Sequence, residues 1–306
     1  MRNVLPIILV LFFCCACVLF QTKEKTSTID IENKNEPLIT AIKTVYLESK
    51  ITGEFFESKY DDRTTIVRID KILGRKVQIA VPFEMIDDTP RPLVISLHGY
   101  GGSHTFQNHM FPAVSFVASK DFILATPRGI SRSWSFSAKK NRDIDFVVGL
   151  IKALKERYPV DSKKVFLVGH SNGAVLALNV ACKGTIVAGV VSIGGFVNYP
   201  DGENVCWVSP KPTIFIHGLK DSIVPYSEGF ASYNRLVAAN FCKGSSSKGD
   251  AFVGEELMKI EEAVFCQDNT LVAMLGIEDG EHIKPLSPDL TSKVLDRLFD
   301  MNKNSY

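Results

Sequence analysis

From about Arg63 onward, short β-branched runs alternate with longer segments in which apolar residues recur every three or four positions. The runs predict strands at 64–69, 75–81, 93–97, 122–126, 165–168, 189–193, 213–217 and 271–277. The longer segments predict helices at 103–119, 143–157, 172–182, 227–240 and 288–299. In the second of these, Ile144, Val147, Val148, Ile151 and Leu154 share one stripe. The run Val165, Phe166, Leu167, Val168 is continuously apolar, which marks a central strand buried on both faces. Two early strands in hairpin register, then six in β/α alternation, predict one α/β domain. Its sheet is expected to be mostly parallel and eight-stranded, with helices on both faces. The segment 244–254 reads as a surface loop inside that domain.

The N-terminus follows a different pattern. Residues 4–20 are almost wholly apolar, with Arg2 before them and a polar, Lys-rich stretch at 21–25 after them. Elsewhere no run reaches the roughly 18 apolar residues that a membrane helix needs. The expected organisation is a signal peptide or anchor at 1–20, a tether at 21–45 and a catalytic domain at 46–306. Cys14, Cys15, Ala16 and Cys17 loosely resemble a lipoprotein box, with Cys17 as acceptor. Cleavage, lipidation and retention all carry the rest of the chain out of the cytosol, to an extracellular or periplasmic place. The last two attach it to a membrane.

Composition adds exclusions. Over 306 residues the chain is 45% hydrophobic, which excludes wholesale disorder. Lys plus Arg number 35 and Asp plus Glu 34, so the basic excess of a nucleic-acid binder is missing.

The chemistry begins at Gly169-His170-Ser171-Asn172-Gly173, a G-x-S-x-G sequence between the buried strand and a helix. A turn that sharp forces the serine into a strained backbone and presents its hydroxyl at the C-terminal edge of the sheet. The following helix aims free N–H groups at the same spot. Ser171 is thus the candidate nucleophile. In this topology an acid and then a histidine follow the serine. Asp221 lies in the exit loop of the strand at 213–217, and His282 in that of the last strand; no other histidine follows Asp221. They are the candidate acid and base. The Gly-rich turn His98-Gly99-Tyr100-Gly101-Gly102-Ser103 suits a second oxyanion donor, so the backbone N–H groups of Tyr100 and Asn172 are paired in that role. Trp134 is expected in the substrate cleft beside Tyr100, with core packing as its alternative. His170 is expected to pack beside the elbow and His217 to hydrogen-bond locally. The triad needs no cofactor, and His98, His104 and His109 lack the Cys or carboxylate spacing of a metal site.

Several stretches together resemble the α/β-hydrolase fold, and within it the esterases of the poly(3-hydroxybutyrate) depolymerase, feruloyl and acetylxylan esterase family. They are LVISLHGYGGS at 93–103, TPRG at 126–129 with Trp134, and DIDFVVGLIKAL at 143–154. VDSKKVFLVGHSNGA at 160–174 and IFIHGLKDSIVPY at 214–226 continue the series. The resemblance implies an exported serine esterase with Ser171, Asp221, His282, Tyr100 and Asn172 in the roles given above. Its implied partners are soluble polyester oligomers or feruloyl and acetyl esters of polysaccharides. Lys284 stands where the family often has a Trp after the histidine, which leaves the choice of ester open. The same triad would serve a peptidase, and a non-catalytic surface protein is the third reading. Four cysteines outside the leader, Cys182, Cys206, Cys242 and Cys266, allow three pairings. The resemblance favours Cys242 with Cys266; Cys182 with Cys206, which closes the same separation of 24 positions, is a second candidate pair, with free thiols as the alternative for each.

Overall fold

A computed structural model describes residues 53–57, 64–83, 85, 87–135, 137, 141–184, 186–197, 211–253, 256–264 and 266–300. They belong to the compact unit Thr52–Tyr306. The expected leader and tether, and Cys206, lie outside the described residues.

All eight expected strands form. They are β2 (Thr64–Ile72), β3 (Arg75–Pro82), β4 (Arg91–Leu97), β5 (Ile123–Pro127), β6 (Val160–His170), β7 (Gly189–Ile193), β8 (Thr213–Gly218) and β11 (Val272–Ile277). The sheet nevertheless has eleven strands, in the order β1-β2-β3-β5-β4-β6-β7-β8-β11-β10-β9. The six from β5 to β11 in that order are parallel. Antiparallel strands extend both sides.

The three additional strands are β1 (Gly53–Glu57), β9 (Gly244–Val253) and β10 (Glu256–Val264). The expected loop at 244–254 is therefore half of a hairpin. β9 is rich in Gly, Ser and charge, with little of the composition that marks strands. As the outermost strand it gains its order from backbone pairing with β10. A disulfide between Cys242 and Cys266 closes the base of this hairpin. Cys182 is buried and also disulfide-bonded.

The helices are α1 (His104–Met110), α2 (Arg142–Arg157), α3 (Asn172–Cys182), α4 (Tyr226–Ala239) and α5 (Pro288–Asp300). The expected helix at 103–119 is shortened. Pro112 lacks an N–H and disfavours helical backbone before it, so α1 stops at Met110 and a single 3₁₀ turn follows at Ala113–Phe116. In α2 the side chain of Asn141 caps the N–H of Asp143, with Asp143 and Asp145 in the first turn and Lys155 and Arg157 in the last. Both charge placements oppose the helix dipole favourably. The buried stripe runs through Ile144, Val147, Leu150, Ile151 and Leu154, with Val148 at its half-buried edge. Every residue of α3 is buried. Among the described residues, no helix is long and apolar enough to cross a membrane.

Chain direction places the site. After β4 the chain moves to β5 on one side, and β6 then lies on the other side of β4. The loops leaving β4 and β6 therefore diverge at a switch point, the place where open α/β sheets bind their ligands. Leu97 of β4 pairs with Gly169 of β6. Gly218 of β8 likewise pairs with Ile277 of β11. The turn after β4 sits beside the elbow, and the two loops carrying Asp221 and His282 leave the sheet side by side.

Candidate active site

Ser171 sits between β6 and α3 with φ 52° and ψ −119°, a strained conformation for a residue with a side chain. The surrounding glycines make that turn possible. A Cβ on Gly169 would lie 2.3 Å from the Gly173 carbonyl oxygen, and one on Gly173 would lie 2.2 Å from that of Leu97. Any side chain at either position would push the elbow out of the sheet. The Ser171 N–H donates to the carbonyl of Ile193 at 2.8 Å, which fixes the turn to the end of β7.

The three residues singled out from the sequence meet. His282 Nε2 lies 2.8 Å from Ser171 Oγ, and His282 Nδ1 lies 2.7 Å from Asp221 Oδ2. Asp221 and His282 are buried, while Ser171 is only partly so. The other carboxylate oxygen, Oδ1, accepts the N–H groups of Ile223 at 2.9 Å and Val224 at 2.8 Å. With Asp221 held on that side, Oδ2 is left to orient the imidazole. Nδ1 then carries the proton, and Nε2 is an acceptor facing the serine hydroxyl. The loops are joined at their base, where the Lys220 N–H donates to the Gly280 carbonyl at 2.9 Å.

Two further histidines support this arrangement, and only their proximity in sequence to the serine and the acid hinted at it. His217 Nε2 donates to the Val224 carbonyl at 2.8 Å, as local bonding required, and also lies 3.3 Å from Asp221 Oδ2. His170 Nε2 donates to the carbonyl of His282 at 2.9 Å, tying the elbow to the base's own backbone. Among the described residues, neither Nδ1 has a hydrogen-bond partner, so each ring serves as a donor through Nε2. Burial pushes His217 below its ordinary value and takes His170 down to about 4. Burial also lowers His98, whose Nδ1–H donates to the Gly99 carbonyl at 2.7 Å and whose Nε2 accepts the Gly129 N–H at 3.0 Å. Both ring nitrogens of His98 are thus occupied by backbone.

These buried neutral imidazoles make stability depend on pH. The unfolded chain takes up protons on histidine below about pH 6.5, and the folded chain does so only at lower pH. Their contribution is complete above about pH 6.5 and is lost as pH falls through their lowered values, which for His170 is about 4. His170 alone accounts for a loss on the order of 3 kcal/mol. The expected result is a melting temperature that drops steadily between pH 7 and pH 4.5. A flat profile by differential scanning calorimetry would contradict it.

Among the described residues, the N–H groups of Tyr100 and Asn172 donate to no protein acceptor, as a site for an oxyanion requires. Neighbouring donors are used: Gly101 N–H reaches the Arg132 carbonyl at 2.8 Å and Gly102 N–H the Gly99 carbonyl at 3.0 Å. The Tyr100 side chain is 77% exposed. Trp134 does not line an open cleft. It is 2% exposed, and its indole N–H donates to the His98 carbonyl at 2.7 Å. An indole N–H removed from water takes a partner, and here the partner lies inside the fold. Among the described residues, no group of three or more His, Cys, Asp or Glu could hold a metal ion.

Comparison with known proteins finds a family profile, curated relatives and solved structures that this chain is similar to. The Phospholipase/Carboxylesterase family profile matches residues 134–264, a stretch that holds Ser171 and Asp221 and ends before His282. A feruloyl esterase C of Emericella nidulans is 24% identical over 233 residues, 73% of this chain and 84% of that protein. A probable feruloyl esterase C of Aspergillus niger is 24% identical over 185 residues, 58% of this chain and 66% of its own length. The acetyl xylan esterase from Aspergillus awamori superposes with a TM-score of 0.59 at 14% identity, covering 76% of this chain and 98% of that one. That likeness is one of fold.

Proposed function

We propose that this chain, which has the α/β-hydrolase fold and matches the phospholipase/carboxylesterase profile over residues 134–264, hydrolyses carboxylic esters through a Ser171–His282–Asp221 triad, with feruloyl or acetyl esters of polysaccharides as substrates. The observation that carries this reading is the unbroken pair of contacts from Ser171 Oγ to His282 Nε2 at 2.8 Å and from His282 Nδ1 to Asp221 Oδ2 at 2.7 Å. His282 takes the hydroxyl proton as Ser171 Oγ attacks the ester carbonyl. Asp221 holds the imidazole and stabilises the imidazolium that forms. The N–H groups of Tyr100 and Asn172 receive the oxyanion. His282 returns its proton to the departing alcohol, leaving an acyl-serine. Water then attacks with His282 again as base, which releases the acid and restores Ser171.

The names of the relatives support feruloyl and acetyl esters as the first substrates to try. The domain plan is part of the same proposal: residues 1–20 direct export or anchoring, 21–45 form a tether, and 46–306 carry catalysis. The disulfide between Cys242 and Cys266 supports an oxidising compartment. The test is parallel turnover of methyl ferulate, acetylated xylan, 3-hydroxybutyrate oligomers and a peptide panel. Release of ferulate or acetate at kcat/KM well above that for the other two supports the reading. Preferential cleavage of peptides would replace it with a peptidase, and preference for the oligomers would move the substrate to polyesters.

A further inference from the structure

We propose that Trp134 is a positioning residue that sets the spacing of the two oxyanion donors by holding both arms of that site. This rests on the serine mechanism proposed above. The first arm is the start of α3. Asn172 Oδ1 accepts the Trp134 backbone N–H at 2.7 Å, and Asn172 Nδ2 donates to the Trp134 carbonyl at 3.0 Å. A side-chain amide thus pairs with one residue's backbone as a neighbouring strand would. Ser133 Oγ adds a third contact to the same Oδ1 at 3.2 Å. The second arm is the turn after β4. The Trp134 indole N–H donates to the His98 carbonyl at 2.7 Å, and the two rings pack with centroids 4.8 Å apart. His98 lies two residues before Tyr100.

Trp134 is itself held from behind. The Ser135 N–H donates to Asp143 Oδ2 at 2.8 Å, and Asp143 Oδ1 pairs with Arg75 Nη2 at 2.6 Å, both side chains nearly buried. The guanidinium of Arg75 lies over the rings of Phe146 and Trp134, 4.0 and 5.9 Å from their centroids. On the other side, Ser131 and Arg132 both take left-handed backbone, with φ 52° and 59°. This strained turn delivers the Arg132 carbonyl to the N–H of Gly101. The Gly101 amide is thus committed, the Gly102 amide is taken by the Gly99 carbonyl, and that of Tyr100 is left for substrate.

A developing oxyanion needs its donors at about 2.7–3.1 Å, so the distance between the arms matters more than either arm alone. Trp134 → Phe keeps an aromatic ring and the backbone pairing with Asn172 but removes the indole N–H. It is expected to lower kcat about 10- to 100-fold with KM nearly unchanged. Affinity for an alkyl boronic acid, whose tetrahedral adduct mimics the reaction's high-energy state, should fall by a similar factor. Asn172→Ala, which keeps the backbone N–H, should behave alike, and the double variant should lose less than the product of the two. If Trp134→Phe fails to fold, Asn172→Ala carries the same comparison.

Wild-type kcat and boronic acid affinity in both variants would overturn the proposal, as would a raised KM at constant kcat, the mark of a cleft-lining role. A control separates this failure from that of the underlying mechanism. If Ser171→Ala retains turnover, the serine reading falls and this proposal with it. If Ser171→Ala is inactive while Trp134→Phe is unaffected, only the role of Trp134 is lost.

Discussion

Ser171→Ala is expected to lower kcat on a short p-nitrophenyl ester by about 10³- to 10⁶-fold, with the fold and melting temperature retained. The size of the effect follows from the site's construction. The hydroxyl is the atom that His282 Nε2 faces at 2.8 Å, and the elbow holds it there through the Ser171 N–H bond to Ile193 and the packing of Gly173 on β4. Alanine keeps the Cβ, and so meets the φ of 52° under the same restraint. What disappears is the hydroxyl proposed as nucleophile and its hydrogen bond to His282. The free amides of Tyr100 and Asn172 remain to polarise a bound ester, so residual turnover by water is expected to exceed the uncatalysed rate. KM should change little. Measured kcat, KM and thermal midpoint for the two proteins check each of these statements.

Asp221→Asn is expected to cost about 10⁴-fold in kcat. Two backbone N–H groups bind Oδ1, so an asparagine would place its carbonyl there and turn its NH₂ toward His282 Nδ1. Nδ1 would then have to accept, its proton would move to Nε2, and the face toward Ser171 would present a donor where a base is needed. The same NH₂ would also face the Nε2–H of His217, which lies 3.3 Å from Oδ2 in the native protein. Two donors turned on each other in a buried place cost stability as well. Flipping the amide only transfers the conflict to Ile223 and Val224. The expected outcome is therefore a combined loss of activity and a lower melting temperature. Activity within tenfold of wild type would show that Asp221 does not orient the base.

The geometry of the candidate site was more legible in the sequence than the edges of the fold. The elbow is legible because its constraints are local: a buried strand, a strained serine, and two glycines whose absent side chains β4 and the elbow itself require. Asp221 and His282 are legible because each follows a strand whose apolar run is unmistakable, and because chain order in a parallel sheet restricts which loops can meet. β9 is not legible, since an outer strand of Gly, Ser and Lys owes its extension to a partner rather than to its own side chains. The break at Pro112 was visible in the residue itself but was overridden by apolar residues on both sides of it. Trp134 shows a different limit. An aromatic residue near a motif suits a cleft and a core equally well, and what decides is the contact of its indole N–H with His98, 36 residues away.

The most direct test of the account is covalent labelling of the wild-type protein with a fluorophosphonate, followed by peptide mass spectrometry. Ester hydrolysis through Ser171 predicts a single adduct on the peptide containing Ser171, formed together with loss of esterase activity and strongly slowed in His282→Ala. An active protein that forms no adduct, carries it on another residue, or labels equally fast without His282 would contradict the account.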